Sequence, residues 1–369
     1  MQLALFLGLK RLKGPSGKDR PFVSVIVAAR NEQHHLQLLL DSLMNQTYPD
    51  YEVIIVNDRS TDATRDIVEA NQRVQERLKL VNITFLPVDL PPKKNALKVG
   101  ILASKGHILC FTDADCIPTA NWIATLVSYF DSQTGLVAGY SPYDASLLPA
   151  GQQSGALAGL LHRFVAAEEI KGALWSAGSI GFEMAWLCTG RNLAYRRRVF
   201  DEVGGYGAIK KSVSGDDDLF IQLVRRRTRW KIRYAIAAES FVRTSPPATF
   251  GEFVQQRTRH FSAGKFFTLP MKVFFAVFHA SNLTIFLGLF SVFLSIEMLL
   301  PAAVAIVLKT AADYLLFSEG RKRFTASNAS SLVRPLNFLL TEILYILYNT
   351  CIGPLGFVKD FEWKPEKRT

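Results

Sequence analysis

The chain has 369 residues, of which 49% are hydrophobic and 20% charged, and its formal net charge is +11. This apolar content excludes an intrinsically disordered protein, and four cysteines in so long a chain exclude a secreted disulfide scaffold. The cysteines form no CxxC pair and have no zinc-like spacing with histidine, so we expect free thiols. A chain that is both apolar and basic is typical of a membrane-associated protein or a nucleic-acid binder.

The first twenty residues join a short apolar stretch to a basic one. The apolar stretch before Lys10 is too short to span a bilayer, and it lacks the longer core of a signal peptide. Five cations follow between Lys10 and Arg20. We predict that residues 1–20 lie beside an anionic membrane. The remnant of a longer span and a frayed terminus are the alternatives.

Residues 21–130 alternate between strand-like and helix-like patterns. The pattern predicts strands at 22–28, 52–56, 83–88 and 107–112, and helices at 32–45, 64–78 and 96–104. Such alternation is typical of an α/β fold with a doubly wound, mostly parallel sheet, which binds ligands at the carboxyl ends of its strands. Three of these ends are polar, at residues 29–32, 57–60 and 113–115. The chain has no GxGxxG after a strand and no GxxxxGK[ST], which argues against dinucleotide and P-loop sites.

Asp113 and Asp115 form the chemical centre of the sequence. In an extended chain, residues two apart point to the same side, so both carboxylates can bind one hard cation. Mg²⁺ or Mn²⁺ bound in this way keeps positions open for phosphate oxygens and stabilises a diphosphate leaving group. The alternative is a pair of acids in a turn at a strand end.

Two further motifs lie downstream. The sequence SGDDDLF at 214–220 places three acids at the start of a predicted helix, where the helix dipole favours them. An acid held away from the helix face would instead serve as a general base. The sequence QQRTRH at 255–260 carries arginines suited to a diphosphate, with a solvated basic face beside anionic lipid as the alternative.

Two other segments leave alternatives open. Residues 156–186 are apolar, and predict either an interfacial helix that guides an acceptor or a core helix. Residues 225–233 are basic around Trp230, which is typical of nucleic-acid binding, although lipid headgroups or solvent explain them more simply beside a membrane. We therefore expect no nucleic-acid partner.

Three hydrophobic segments follow residue 270. Residues 273–296 comprise 24 residues without Asp, Glu, Lys or Arg, enough for a helix of about 36 Å against a hydrocarbon core of about 30 Å. The second segment, 299–317, contains Lys309 and Asp313, which are costly in lipid unless they pair at i,i+4 or face another helix. The third is 336–357, with a Gly-Pro break near its end.

The charges between these segments predict an orientation. The loop 318–334 is basic, so the positive-inside rule puts it, and with it residues 1–270, in the cytoplasm. The third segment either crosses the membrane or turns back within it, which leaves the side of the tail 359–369 open. We expect an integral protein of the cytoplasmic membrane with its catalytic domain facing the cytoplasm.

Taken together, the chain resembles the processive and lipid-linked inverting glycosyltransferases of family 2. Seven motifs carry the resemblance in order across residues 22–260: VSVIVAARNE, VNDRSTD, KKNALKVG, FTDADCIP, TGRNLAYRR, SGDDDLF and QQRTRH. The resemblance implies a Rossmann-like GT-A catalytic domain at 21–265, followed by a membrane region at 270–358 with two or three transmembrane helices.

The resemblance also implies roles for individual residues. Six residues would bind the donor: Ala28, Arg30, Glu32, Asp58, Lys93 and Asp113. Of these, Asp58 would contact a uracil-like base and Asp113 the nucleotide sugar. Lys94 could assist Lys93 near the nucleotide. Asp115 would hold the divalent cation. Asp216 would be the catalytic base that deprotonates the acceptor hydroxyl. The diphosphate and the acceptor would contact Gln255, Gln256, Arg257 and Arg259.

Three positions depart from the family pattern. Asn57 replaces the usual first Asp of its motif, and Gly215 replaces the Glu before the base. His260 replaces a Trp that offers a sugar-stacking face in polymer synthases, and an imidazole can ionise near neutral pH. These departures favour the transfer of a single sugar, from a UDP-linked donor to a lipid-linked or other membrane acceptor, over processive polysaccharide synthesis. The expected partners are a nucleotide sugar, a lipid-linked or polysaccharide acceptor and membrane lipids.

Two rival functions fit less of the sequence. Residues 113–117 approximate the nucleophile motif of haloacid-dehalogenase-like phosphatases, with Lys210 or Lys211 as their later lysine. That nucleophile belongs on a first strand, whereas three β-α units precede Asp113. A catalytically silent sugar-nucleotide scaffold is the non-enzyme rival.

Overall fold

The computed structural model describes residues 2–85, 89–148, 155–291, 293, 295–324 and 335–357. Nine strands are present in these ranges: β1 Val23–Ala29, β2 Tyr51–Asp58, β3 Leu78–Ile83, β4 Ile108–Phe111, β5 Cys116–Pro118, β6 Thr134–Gly139, β7 Leu193–Arg196, β8 Lys231–Ala235 and β9 Val242–Thr244. Twelve α-helices accompany them in the same ranges: α1 Gln2–Arg11, α2 Leu36–Met44, α3 Thr64–Gln72, α4 Pro92–Ala103, α5 Trp122–Val127, α6 Ala156–Gly181, α7 Arg197–Val203, α8 Asp218–Arg227, α9 Phe250–Ser262, α10 Leu269–Ser291, α11 Leu299–Arg323 and α12 Pro335–Cys351.

Seven strands form one sheet in the order β3-β2-β1-β4-β7-β6-β8. Every pairing is parallel except those of β7, which runs antiparallel to both β4 and β6. All residues of β1 and β2 are buried, as expected for central strands covered on both faces. The predicted α/β fold with a mostly parallel sheet is confirmed.

The third predicted strand was placed five residues too late. β3 occupies Leu78–Ile83, not 83–88, and α3 ends at Gln72. The register decides this, because β3 pairs with β2 from Val53 opposite Leu78 to Asp58 opposite Ile83. β3 is an edge strand with only one fully buried residue, so its own sequence pattern is weak. Residues 86–88 of the predicted strand lie outside the described residues.

The apolar N-terminal segment is an ordered helix. α1 packs against α6 and α11, with Leu5 and Leu9 buried. Gly8 allows the close approach, because a Cβ there would overlap the backbone carbonyl of Gly178 on α6. A frayed terminus is therefore wrong, whereas a position beside the membrane stays a prediction.

α6 is a core helix, the second of the two alternatives for residues 156–186. Val165, Leu174 and Ala177 are buried within the main hydrophobic cluster. The helix contacts β8 of the sheet as well as α11 and α12. It therefore lies between the sheet and the C-terminal helices.

Three C-terminal helices are long and apolar enough to cross a membrane: Leu269–Ser291, Ile296–Arg323 and Phe338–Leu355. The second extends further than predicted, since α11 continues to Arg323. Residues 318–323 are thus the basic last turns of a helix, not the start of a loop. The rest of that loop, 325–334, and the tail from 358 lie outside the described residues.

The charges inside α11 are paired in both of the ways predicted. Lys309 Nζ lies 2.9 Å from Asp313 Oδ2 at i,i+4 and 2.5 Å from Glu342 Oε2 on α12. Lys171 of α6 completes the cluster, with its Nζ 2.9 Å from Asp313 Oδ2 and 2.6 Å from Glu342 Oε1. No side chain of these four is more than 12% exposed. This cluster, hereafter the membrane-side cluster, joins α6 to α11 and α12.

Candidate active site

A cavity of about 270 Å³ lies beyond the end of β4, between α6, α8 and α9. Seven of the predicted site residues line it: Lys93, Asp113, Asp115, Asp216, Gln256, Arg257 and Arg259. Segments from eight separate parts of the chain, between residues 93 and 263, meet in this cavity. The three motifs singled out from the sequence therefore converge in space.

Lys93 connects two of those motifs. Its Nζ lies 3.0 Å from Asp113 Oδ1 and 3.3 Å from Asp216 Oδ2. Burial alone would lower the pKa of Lys93, but Asp113, Asp216 and Asp217 raise it, so the ammonium stays charged. Burial would likewise raise the pKa of Asp113, but Lys93 brings it below its usual range. One cation thus holds the Asp113 and Asp216 carboxylates together.

Asp115 is in a different electrostatic position. Burial raises its pKa, and the neighbouring carboxylates of Asp113 and Glu32 raise it further. This excess of negative charge is what a divalent cation would relieve, and oxygen donors are what Mg²⁺ and Mn²⁺ prefer. No group of three His, Cys, Asp or Glu side chains in the described ranges could hold a metal by itself. The donor set therefore fits a cation that takes its other ligands from a bound substrate.

The three consecutive acids at 216–218 have different partners. Asp217 accepts hydrogen bonds from the backbone N–H groups of Gly190, at 2.8 Å, and Asp218, at 2.7 Å, the second of which caps α8. Asp218 accepts one from the N–H of Cys188 at 2.9 Å. These two acids fix the 188–190 loop, whereas the Asp216 carboxylate faces Lys93. Of the three, Asp216 is the one whose carboxylate is paired with Lys93 in the cavity.

Gly215 is the residue that the turn before Asp216 requires. Its φ is +83°, a conformation that L side chains rarely adopt. A Cβ there would also lie 2.7 Å from Leu219 Cδ1. The expected Glu cannot replace it without strain in this backbone.

Lys94 does not point into the cavity as Lys93 does. Its ammonium is buried and donates to the carbonyl oxygens of Ile209 at 3.1 Å, Ser212 at 2.5 Å and Ser214 at 2.7 Å. Burial lowers its pKa to about 8. Consecutive residues of a helix point about 100° apart, so only one of the two lysines on α4 can face the site. Lys94 therefore anchors the loop that leads to Asp216.

Two acid–arginine pairs line the wall of the cavity formed by α6. Of their four residues, only Arg257 is predicted from the sequence. Glu168 pairs with Arg257, and Glu169 pairs with Arg191 at 3.0 Å. Tyr143 lies near both guanidinium groups, with its ring centroid 5.2 Å from Arg191 and 5.9 Å from Arg257. The signals available were Arg191 in the TGRN motif and two adjacent acids in a largely apolar segment.

His260 does not ionise near neutral pH as expected. Its ring lies in the cavity, with Nδ1 3.3 Å from Arg257 Nη1. Desolvation in the cavity lowers its pKa well below the usual value, and the charges of Arg257 and Arg259 lower it further, although the residue keeps an exposed surface. The imidazole is therefore neutral, which corrects the interpretation of this departure from the family pattern.

The remaining predicted residues do not line the cavity. Ala28 is buried in β1, and Arg30 and Glu32 follow at its end. Asp58, at the end of β2, is buried and paired with Arg59, with Oδ1 2.8 Å from Nε and Oδ2 3.1 Å from Nη2. Gln255 is exposed and is absent from the lining of the cavity. The Asp58 carboxylate can meet a base only in competition with Arg59.

Asn57 has a structural task next to Asp58. Its Nδ2 donates to Asn82 Oδ1 of β3 at 2.8 Å, and its Oδ1 accepts a hydrogen bond from the N–H of Ser60 at 3.3 Å. An aspartate could not donate the first of these.

Comparisons with known proteins find a glycosyltransferase family model and relatives named as glycosyltransferases. Residues 24–204 match the model of Glycosyl transferase family 2. "Probable glycosyltransferase YdaM" of Bacillus subtilis is 31% identical over 252 residues, which cover 66% of this chain and 55% of the relative. "Beta-monoglucosyldiacylglycerol synthase" of Nostoc sp. is 31% identical over 115 residues, or 31% of this chain and 24% of the relative. The chain spans about half or less of the length of these relatives.

A solved structure is similar over nearly the whole chain. The mannosyltransferase PcManGT from Pyrobaculum calidifontis, in complex with GDP-Man and Mn²⁺, gives a TM-score of 0.53 at 19% identity. The match covers 94% of this chain and 95% of that one, and it confirms the GT-A-like fold. Lys210 and Lys211 lie outside the cavity, so the later lysine of the phosphatase alternative is not in the cavity with Asp113. Residues 24–204 therefore match glycosyl transferase family 2, and the relatives that the chain resembles are glycosyltransferases.

Proposed function

We propose that the protein is an inverting glycosyltransferase of the cytoplasmic membrane. It transfers a single sugar from a nucleotide-diphosphate sugar, UDP-linked by the family resemblance, to a hydroxyl of a lipid-linked or membrane-associated acceptor. The observation that carries the proposal is Lys93, which holds Asp113 and Asp216 together in one cavity. Donor-side and acceptor-side acids are thereby brought within reach of the same reacting atoms.

The transfer needs a base for the acceptor hydroxyl and positive charge beside the leaving diphosphate. Asp216 takes the proton of the acceptor hydroxyl as its oxygen attacks the anomeric carbon, and the bond from that carbon to the diphosphate breaks on the opposite side. Attack from the opposite face inverts the configuration at this carbon. The charge that develops on the leaving diphosphate meets Arg257 and Arg259, and Lys93 lies between the two acids.

A divalent cation fits Asp115, with Asp113 beside it. Bound there, Mg²⁺ or Mn²⁺ would neutralise charge on the leaving diphosphate. The structure of PcManGT with GDP-Man and Mn²⁺ supports such a donor and cation in this fold. Because the base in that structure is guanine, both UDP- and GDP-linked sugars belong in the first test.

The membrane acceptor rests on the three C-terminal helices. They could cross a bilayer, and α9, which contributes to the cavity lining, is separated from the first of them by only six residues. The basic end of α11 favours a cytoplasmic position for that end, which puts the catalytic domain on the same side. The name of the Nostoc relative, "Beta-monoglucosyldiacylglycerol synthase", supports a lipid acceptor.

The test uses membranes that contain the full chain. They are incubated with a panel of radiolabelled UDP- and GDP-linked sugars, with and without EDTA, and the lipids are then extracted. We expect metal-dependent label in the lipid fraction, absent from membranes with Asp216→Asn. Label found only in soluble polymer would contradict the lipid acceptor, and transfer that resists EDTA would contradict the cation at Asp115. Binding of a nucleotide sugar without any transfer would favour the silent scaffold.

A further inference from the structure

A second cavity, of about 280 Å³, lies on the opposite side of the 207–214 loop from the active site. Four basic side chains line it: Lys210, Lys211, Arg226 and Arg227. No acidic side chain of the described residues lines it. The cavity is therefore a concentrated positive site that none of the catalytic steps above uses.

Three of these cations have no acidic partner. Within the described parts of the chain, Lys210, Lys211 and Arg226 make no ion pair, and all three are exposed. Arg227 donates to the carbonyl oxygen of Val203 at 3.0 Å and so keeps its charge unbalanced as well. Like charges gathered in one concavity repel one another, and an anion with several oxygens would relieve that repulsion.

The cavity lies at the entrance to the first apolar helix. Phe266 and Thr268 form one wall, and α10 begins at the next residue, Leu269. The N–H of Thr268 donates to Gln222 of α8 at 3.3 Å, which fixes α8 to this entrance. Phe266 is 45% exposed and Leu269 is 73% exposed, so apolar surface borders the cations. A phosphate with apolar chains attached matches both features.

From this arrangement we propose that the cavity binds the headgroup of an anionic phospholipid, with its phosphate among Lys210, Lys211 and Arg226 and its glycerol end against Phe266. Basic pockets beside membrane helices bind anionic headgroups by the same combination of charge and position. The proposal rests on α10 crossing a membrane, but it does not depend on the sugar transfer.

The site also shares a loop with the active site. Lys94 binds the carbonyl oxygens of Ile209, Ser212 and Ser214, while Lys210 and Lys211 project from the same loop into the second cavity. Ser214 and Asp216 line the catalytic cavity. A lipid bound to this loop would therefore contact the same segment that leads to the proposed base, Asp216.

The test measures lipid retention by the full chain. The protein is reconstituted in nanodiscs of mixed phosphatidylcholine and phosphatidylglycerol, and the lipids retained after release are counted by native mass spectrometry. We expect wild type to retain phosphatidylglycerol preferentially. The variant Lys210→Gln/Lys211→Gln/Arg226→Gln should lower that preference about a hundredfold. A variant that kept the full preference would overturn the proposal.

Two controls keep the result specific. Arg73→Gln/Lys98→Gln/Lys105→Gln removes three exposed charges from the other half of the sheet domain and should retain phosphatidylglycerol as wild type does. Equal loss in this control would mean that net charge, not the cavity, attracts the lipid, and would count against the proposal. Complete displacement of phosphatidylglycerol by millimolar inorganic phosphate would assign the site to free phosphate instead. The unfolding temperature of both triple variants is measured beside that of wild type, and equal values establish that the variants are folded.

Discussion

Two clusters of lysines and acids in this molecule use the same residue types in opposite ways. In the membrane-side cluster, two lysines meet two acids, and the neighbouring cavity is only about 20 Å³. In the active site, Lys93 meets Asp113 and Asp216 with Asp115 close by, and the cavity is about 270 Å³. The first cluster is balanced and closed, while the second is acidic in excess and open. Charge balance and enclosure together distinguish a structural cluster from one prepared for a ligand.

The largest effect should come from the open cluster. Asp216→Asn removes the proposed base and should reduce sugar transfer about a thousandfold, because proton transfer by a placed side chain contributes roughly 10²–10⁴. Single-turnover assays on membranes measure this loss. Asp201→Asn, an exposed acid on α7, is the matched control and should retain full activity. A fully active Asp216→Asn would remove Asp216 from the mechanism.

The closed cluster should respond in stability. Lys171→Met leaves Asp313 and Glu342 with Lys309 alone, and breaking a buried ion pair by removing one partner costs about 3 kcal/mol. The thermal unfolding midpoint in detergent should fall, and Lys171→Met/Glu342→Gln, which restores neutrality, should recover part of it. Lys272→Met, at an exposed lysine on α10, is the control. A double variant less stable than Lys171→Met would contradict charge balance as the cause.

A smaller effect, on donor binding, is expected from Glu168 of α6, the helix that connects the two clusters. Glu168 lies three residues before Lys171 and pairs with Arg257 in the cavity. Glu168→Gln should loosen Arg257 and raise the donor KM about tenfold, the value of one charge-assisted hydrogen bond, with kcat changed less. Glu168→Asp should restore part of the affinity, and the exposed Glu183→Gln should change nothing. A loss confined to kcat would mean that Glu168 does not act through donor binding.

The smallest effect concerns His260. Because desolvation and the two arginines lower the pKa of His260 well below its ordinary value of about 6.5, the imidazole stays neutral as the pH falls from 8 to 6.5. His260→Gln should therefore leave the shape of the pH–rate profile unchanged over this range, whatever it does to the absolute rate. A shift of the profile toward lower or higher pH would show that His260 titrates in the working enzyme.

The same comparison explains what the sequence could predict. Asp113, Asp115 and Asp216 follow strand ends or precede a helix, and local pattern is enough to identify them. The edge strand β3 was displaced because its position depends on pairing with β2, not on its own alternation. The partners of Arg191 and Arg257 lie on α6, more than twenty residues away in the chain, so no local signal connects them. Lys93 and Lys94 look alike in sequence, and only the phase of α4 separates them.

Lys171 has a practical consequence for protein engineering. A soluble fragment ending near residue 265 would keep the catalytic motifs and lose α10–α12, and with them both counter-ions of Lys171. It would also uncover Trp175, whose ring now packs against Phe274 and Phe278 of α10. Such a fragment would need an apolar replacement at position 171 and a polar one at 175 before it could be expected to fold and stay dispersed in water. The end of the last catalytic motif, at residue 260, is therefore not the boundary of an autonomous folding unit.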